Sequence, residues 1–167
     1  RGGAISVTVG RGLSGSGGEI RVLAGESTAS SVTGGDVIIR AGHGSSVSSG
    51  QGGDTYLLGG VGRAVTGGFV TVTSGKGTQT SSGAVLISTY AAGFKGVSGK
   101  LAFSSGSTSK GNSGALTIGS GAATGGRGGF IQVTVGSGTS GAGGFAEITA
   151  GRSLPNTGGA VSIGSGE

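Results

Sequence analysis

The chain has 167 residues, 45 of them glycine and one proline, with no Cys, Met or Trp and a formal charge of +5. That composition excludes a disulfide framework, a thiolate metal site and a cysteine nucleophile, and the lack of proline and of a three-residue glycine period excludes collagen. A glycine content this high without any period would point to a disordered tract, so periodicity decides the class.

Eleven short repeats run along the chain, opening at Gly2, Gly17, Gly34, Gly52, Gly67, Ser82, Ser98, Ser113, Gly128, Gly143 and Gly158. They are numbered 1 to 11 here, and a residue's place within its repeat is its position. Successive spacings run from 15 to 18, with the extra residues of repeats 2 and 3 falling between Glu26 and Thr33 and between His43 and Gln51. Positions 1 to 9 read [GS]-G-x-φ-x-φ-x-x-G with φ apolar, and the remainder is mostly Gly, Ser, Thr and Ala. The first φ, at position 4, is Ile5, Ile20, Val37, Thr55, Val70, Val85, Leu101, Leu116, Ile131, Ala146 and Val161. The second, at position 6, is Val7, Val22, Ile39, Leu57, Val72, Ile87, Phe103, Ile118, Val133, Ile148 and Ile163. Thr55 is the one polar exception in a chain that is 33% hydrophobic, so the alternation is not a by-product of composition.

Alternation with period 2, dominated by β-branched residues, predicts a strand with one buried face in each repeat, and no segment carries a helical period. A lone strand cannot bury its apolar side, whereas copies stacked at about 4.8 Å would build two aliphatic ladders. The expected fold is therefore all-β, a parallel β-solenoid of about eleven rungs of 15–18 residues forming one domain over residues 1–167. Glycine at position 9, replaced only by Tyr90 in repeat 6, is expected to turn corners through positive φ.

Several outward positions carry polar or aromatic side chains. Glu19, Asp36 and Asp54 share position 3 in successive repeats, and with Arg21 and Arg40 on the same face they read as a surface ion-pair network before a metal site. A calcium β-roll would need repeated G-G-x-G-x-D motifs, and only Asp36 and Asp54 are available. Phe130 and Phe145, with Phe69 apart from them, occupy the same position and point to contact with a neighbouring segment or molecule, or to burial under a folded-back loop.

Residues Gly10 to Gly15 match G-x-G-x-x-G, but the dinucleotide motif requires a following helix, and the string returns at Gly136 to Gly141 as part of the repeat. No cofactor is expected. Gly99-Lys100 is followed by Leu101, so the phosphate-loop hydroxyl is missing. His43 is the only histidine and falls in a corner, leaving no Ser-His-Asp set, and Asn112 and Asn156 lie outside glycosylation sequons. No catalytic, cofactor-binding or metal residue is assigned, and the chain is not expected to be an enzyme. Scattered basic residues without interleaved aromatics argue against nucleic acid, and no apolar run approaches a membrane span. The net charge favours solubility or contact with acidic polymers such as polysaccharide.

The units Gly67 to Gly77 and Gly128 to Gly138, reading Gly-Gly-x-φ-x-φ-x-x-Gly-x-Gly, resemble the Gly/Ser/Thr-rich tandem repeats of large secreted or cell-surface microalgal proteins, notably of diatoms. The resemblance is one of composition and period over nearly the whole chain, and it implies extracellular, matrix or adhesive material with no active site to carry over. The expected function is structural: a filament or fibre subunit, or a rod segment of a surface adhesive. Its partners are copies of itself, stacked head to tail through the opposite charges of Arg1 and Glu167 or bundled laterally. An ice-binding solenoid is the alternative, requiring an outward T-x-T array that Glu19, Arg21, Asp36, Arg40, Asp54 and Tyr56 interrupt, and a polysaccharide-binding solenoid is another.

Overall fold

Side chains two residues apart meet along the chain. Arg21 Nε lies 3.3 Å from Glu19 Oε1, Tyr56 donates its hydroxyl to Asp54 Oδ2 at 3.1 Å, and Thr149 donates to Glu147 Oε1 at 3.0 Å. Partners at i and i+2 share a side only where the backbone is extended, so the alternation read from the sequence is realised locally. The computed structural model describes residues 2–154 and 156–166. Arg1 and Glu167, on which the head-to-tail charge pairing rests, lie outside the described residues.

Extended segments do not assemble into a sheet. Among the described residues there is no helix and no strand, which overturns the expected all-β parallel solenoid of about eleven rungs. Few residues a dozen or more apart in sequence approach one another, so side chains some fifteen residues apart do not lie over each other. Val22, Ile39 and Val72, expected to line an aliphatic spine, are all exposed. Indeed no described residue is buried. The physical reason lies in the proportions of the repeat: two sizeable aliphatic side chains must offset the ordering of some fifteen residues, many of them glycines that lose the most backbone freedom.

What the repeats form instead is a series of locally closed loops. Gly35 N–H donates to Gly25 C=O at 2.9 Å, Gly53 to Gly42 at 2.9 Å, Gly68 to Gly60 at 2.9 Å, Gly83 to Gly75 at 3.0 Å and Gly159 to Gly151 at 2.9 Å. Each bond joins position 2 of one repeat to position 9 of the repeat before it. The chain bends at positions 12 to 14 in 15-residue repeats such as those with Leu13–Gly15, Arg63–Val65, Thr78–Thr80 and Thr139–Gly141, and at Ala29–Ser31 and Val47–Ser49 in the two long ones. The two long loops close as the short ones do, the third with an internal bond from Gly50 N–H to Ser46 C=O at 3.1 Å.

Position 2 is glycine in all eleven repeats, and at several junctions space, not backbone angle, accounts for it. Of the described glycines, only Gly111 and Gly141 have positive φ, which corrects the expectation that the repeat-end glycines turn corners through that region. A Cβ at Gly35 would meet Ala24 Cβ at 3.4 Å and Gly25 N at 3.3 Å, one at Gly129 would meet Ser120 Cβ at 3.2 Å, and one at Gly144 would meet Val135 Cγ1 at 2.7 Å. The loop of repeat 2 makes its turn without glycine, holding Ser31 at φ 62°, in the left-handed region that costs an L-residue roughly 1–2 kcal/mol.

The junction also covers part of the first apolar residue. Ile5, in repeat 1, is 96% exposed, while its eight large aliphatic counterparts from Ile20 to Val161 are 49–59% exposed. Backbone proximity groups the chain into two units, Arg1–Leu86 and Ile87–Glu167. Their boundary falls between positions 5 and 6 of repeat 6, where composition gives no signal. The first unit holds four of the five junction bonds, and the second holds the Gly159–Gly151 bond and a tight Gly96 N–H to Gly93 C=O contact at 3.2 Å.

Candidate functional site

Two features of the surface have chemical content. One is the array of uncovered aliphatic and aromatic side chains that every repeat presents. The other is a cavity of about 610 Å³ in the first unit, lined by Arg40, Ala41, Gly42, His43 and Gly52.

The cavity forms where repeat 3 hands over to repeat 4. Arg40 stands at position 7 and His43 at position 10, on either side of the position-9 glycine, and the 18-residue spacing of this repeat is the longest in the chain. Gly42 C=O accepts from Gly53 N–H. None of the N–H groups of Arg40, Ala41, Gly42, His43 and Gly52 enters a backbone hydrogen bond among the described residues. Arg40 has no carboxylate within ion-pair distance among them. The lining thus carries a fixed cation, an imidazole and several unspent backbone donors. Sequence reasoning named both Arg40 and His43 without joining them; the signal was their flanking of one junction glycine in the repeat with the longest loop.

The other residues singled out from sequence are not brought together. Of the carboxylates at position 3, Glu19 pairs with Arg21 and Asp54 accepts from Tyr56. No group of three potential metal ligands forms among the described residues. The expected network reduces to the single Glu19–Arg21 pair, both partners of which are exposed. Phe69, Phe130 and Phe145 are exposed, which removes the reading in which a folded-back loop covers them. The glycines of Gly10–Gly15 belong to a bend and its flanks, with Gly12 packed near Ser16 C=O at 3.0 Å from its would-be Cβ. No helix follows them.

Comparison with known protein families, curated proteins and solved structures found no match to this chain. Among the described residues no helix is long and apolar enough to cross a membrane.

Proposed function

We propose that this chain is a structural, non-catalytic repeat protein of extracellular, cell-surface or matrix material, whose copies associate laterally through their aliphatic side chains. The observation that carries the reading is the absence of any buried residue in the described chain. Its accessible surface is 17038 Å², where a compact monomer of this mass would expose roughly 7,000 Å². A standard interface between two proteins removes about 1,600 Å² in total, so the uncovered surface is ample for contacts with several neighbours. The recurring aliphatic pair makes a second copy a natural partner, since it presents the same pairs at the same spacings. The resemblance to secreted microalgal repeats agrees with an adhesive or matrix setting. The non-catalytic part rests on chemistry that the sequence lacks, with one histidine and no cysteine.

Ice binding is not carried forward, because it needs a flat, regular threonine array and no sheet exists among the described residues to hold one. Sedimentation velocity across a wide concentration range tests the assembly reading. The expected result is reversible, concentration-dependent association. In the triple variant Ile39→Ser, Val72→Ser, Ile87→Ser the association constant falls by about a thousandfold or more, given about 1.5–3 kcal/mol for each buried aliphatic side chain. A chain that stays monomeric at every concentration, or a triple variant that associates as well as the parent, contradicts it.

A further inference from the structure

We infer that the cavity between Arg40, His43 and Gly52 is a binding site for the anionic groups, sulfate or carboxylate, of an acidic polysaccharide. The inference is independent of self-assembly, since it concerns a single loop within one unit.

Three observations converge on it. The cavity has a volume of about 610 Å³, which admits a sugar unit with its charged substituent. Its lining supplies donors of the geometry that oxyanions select: a planar guanidinium that can bind two oxygens at once, an imidazole N–H, and glycine N–H groups approachable without side-chain obstruction. Those donors are also uncommitted, because Arg40 forms no ion pair among the described residues and the neighbouring N–H groups form no backbone hydrogen bonds there. No carboxylate lines the cavity. Arg21, by contrast, is held by Glu19.

A polymer is favoured over a free ion by exposure. Arg40 and His43 both face solvent, so a small anion would keep much of its hydration and bind weakly, while a chain of such anions binds through many equivalent groups and slow net release. The overall charge of +5 assists the encounter without choosing the site.

The test is a titration of dilute protein with dextran sulfate, polygalacturonate and neutral dextran, read by calorimetry or by light scattering. Binding is expected to one or both polyanions and not to dextran. Arg40→Gln lowers the affinity about tenfold, the loss expected for a charge-assisted contact. Arg40→Lys, which keeps the charge and loses the fork, falls in between, and His43→Gln weakens binding severalfold. Lys110→Gln removes the same unit of charge at a residue outside the cavity lining and changes affinity less than about twofold. Equal losses in Arg40→Gln and Lys110→Gln would assign the binding to net charge and overturn the site, as would no binding to either polyanion. Inorganic sulfate displacing dextran sulfate at an equal concentration of sulfate groups overturns the polymer assignment; displacement only at large excess supports it.

Discussion

A valine at position 8 carries two methyl groups that an alanine lacks, and the junctions register the difference. The bond between positions 2 and 9 forms where position 8 is Ala24, Ala41, Gly59, Ser74 or Ala150, and among the described residues it is missing where position 8 is Val9, Thr89, Ser105, Ser120 or Val135. Valine and threonine crowd the incoming glycine, as Val9 Cγ1 does at Gly18 and Thr89 Cγ2 at Gly99, whereas serine stands in both groups. At Gly144 the obstruction is Val135 Cγ1, and at Gly129 the Ser120 hydroxyl donates to the glycine carbonyl at 2.8 Å, a group the junction bond does not use. Ala150→Val is therefore expected to break the Gly159–Gly151 bond, and Val135→Ala to permit a new one from Gly144 N–H to Gly136 C=O. With a net value of about 0.5–1.5 kcal/mol for such a bond, amide exchange measured by NMR speeds up about fivefold at Gly159 in the first variant and slows by a similar factor at Gly144 in the second. Unchanged exchange at both glycines would mean that side-chain size at position 8 does not gate the junction.

At the scale of the repeat, the sequence disclosed phase and local conformation but not partnership. The bends recur at positions 12 to 14 of 15-residue repeats and a residue or two later in the two long ones, the insertions of repeats 2 and 3 sit within loops, and the i, i+2 pairs Glu19–Arg21 and Asp54–Tyr56 confirm alternating sides. All of this follows from short-range sterics and was legible. The stacking of Val22 over Ile39 was not, because alternation states which way a side chain faces and is silent about what covers it. The motif G-x-φ-x-φ-x with a small residue at position 8 reads nearly the same in both directions, so neither parallel nor antiparallel pairing is excluded by pattern alone, and in this chain neither forms. The junction glycines were misattributed for a related reason: an invariant glycine serves a positive φ and a close approach equally well, and the choice at Gly35 or Gly144 requires the neighbouring Ala24 or Val135 to be in place. Loop length itself matters little to closure. Deleting Val47, Ser48 and Ser49 shortens the span from Gly42 to Gly53 and alters its closure cost by about 0.3 kcal/mol, so exchange at Gly53 is expected to change less than about twofold. A change of tenfold or more would show that the insertion has a structural part in the junction.

For the whole molecule, the uncovered aliphatic side chains and the unspent backbone donors are two consequences of one condition. Repeats that close on themselves locally leave the groups that a sheet would pair and bury available to other molecules, apolar surface for further copies of the chain and N–H groups at the repeat 3 loop for anions. The measurement that bears most directly on that condition is amide hydrogen exchange of the dilute, unassociated chain, resolved residue by residue. The account predicts measurable protection at Gly35, Gly53, Gly68, Gly83 and Gly159 and near-intrinsic rates through positions 3 to 7 of every repeat, Val37 to Ile39 and Val70 to Val72 included. Continuous strong protection across those segments in successive repeats would contradict it.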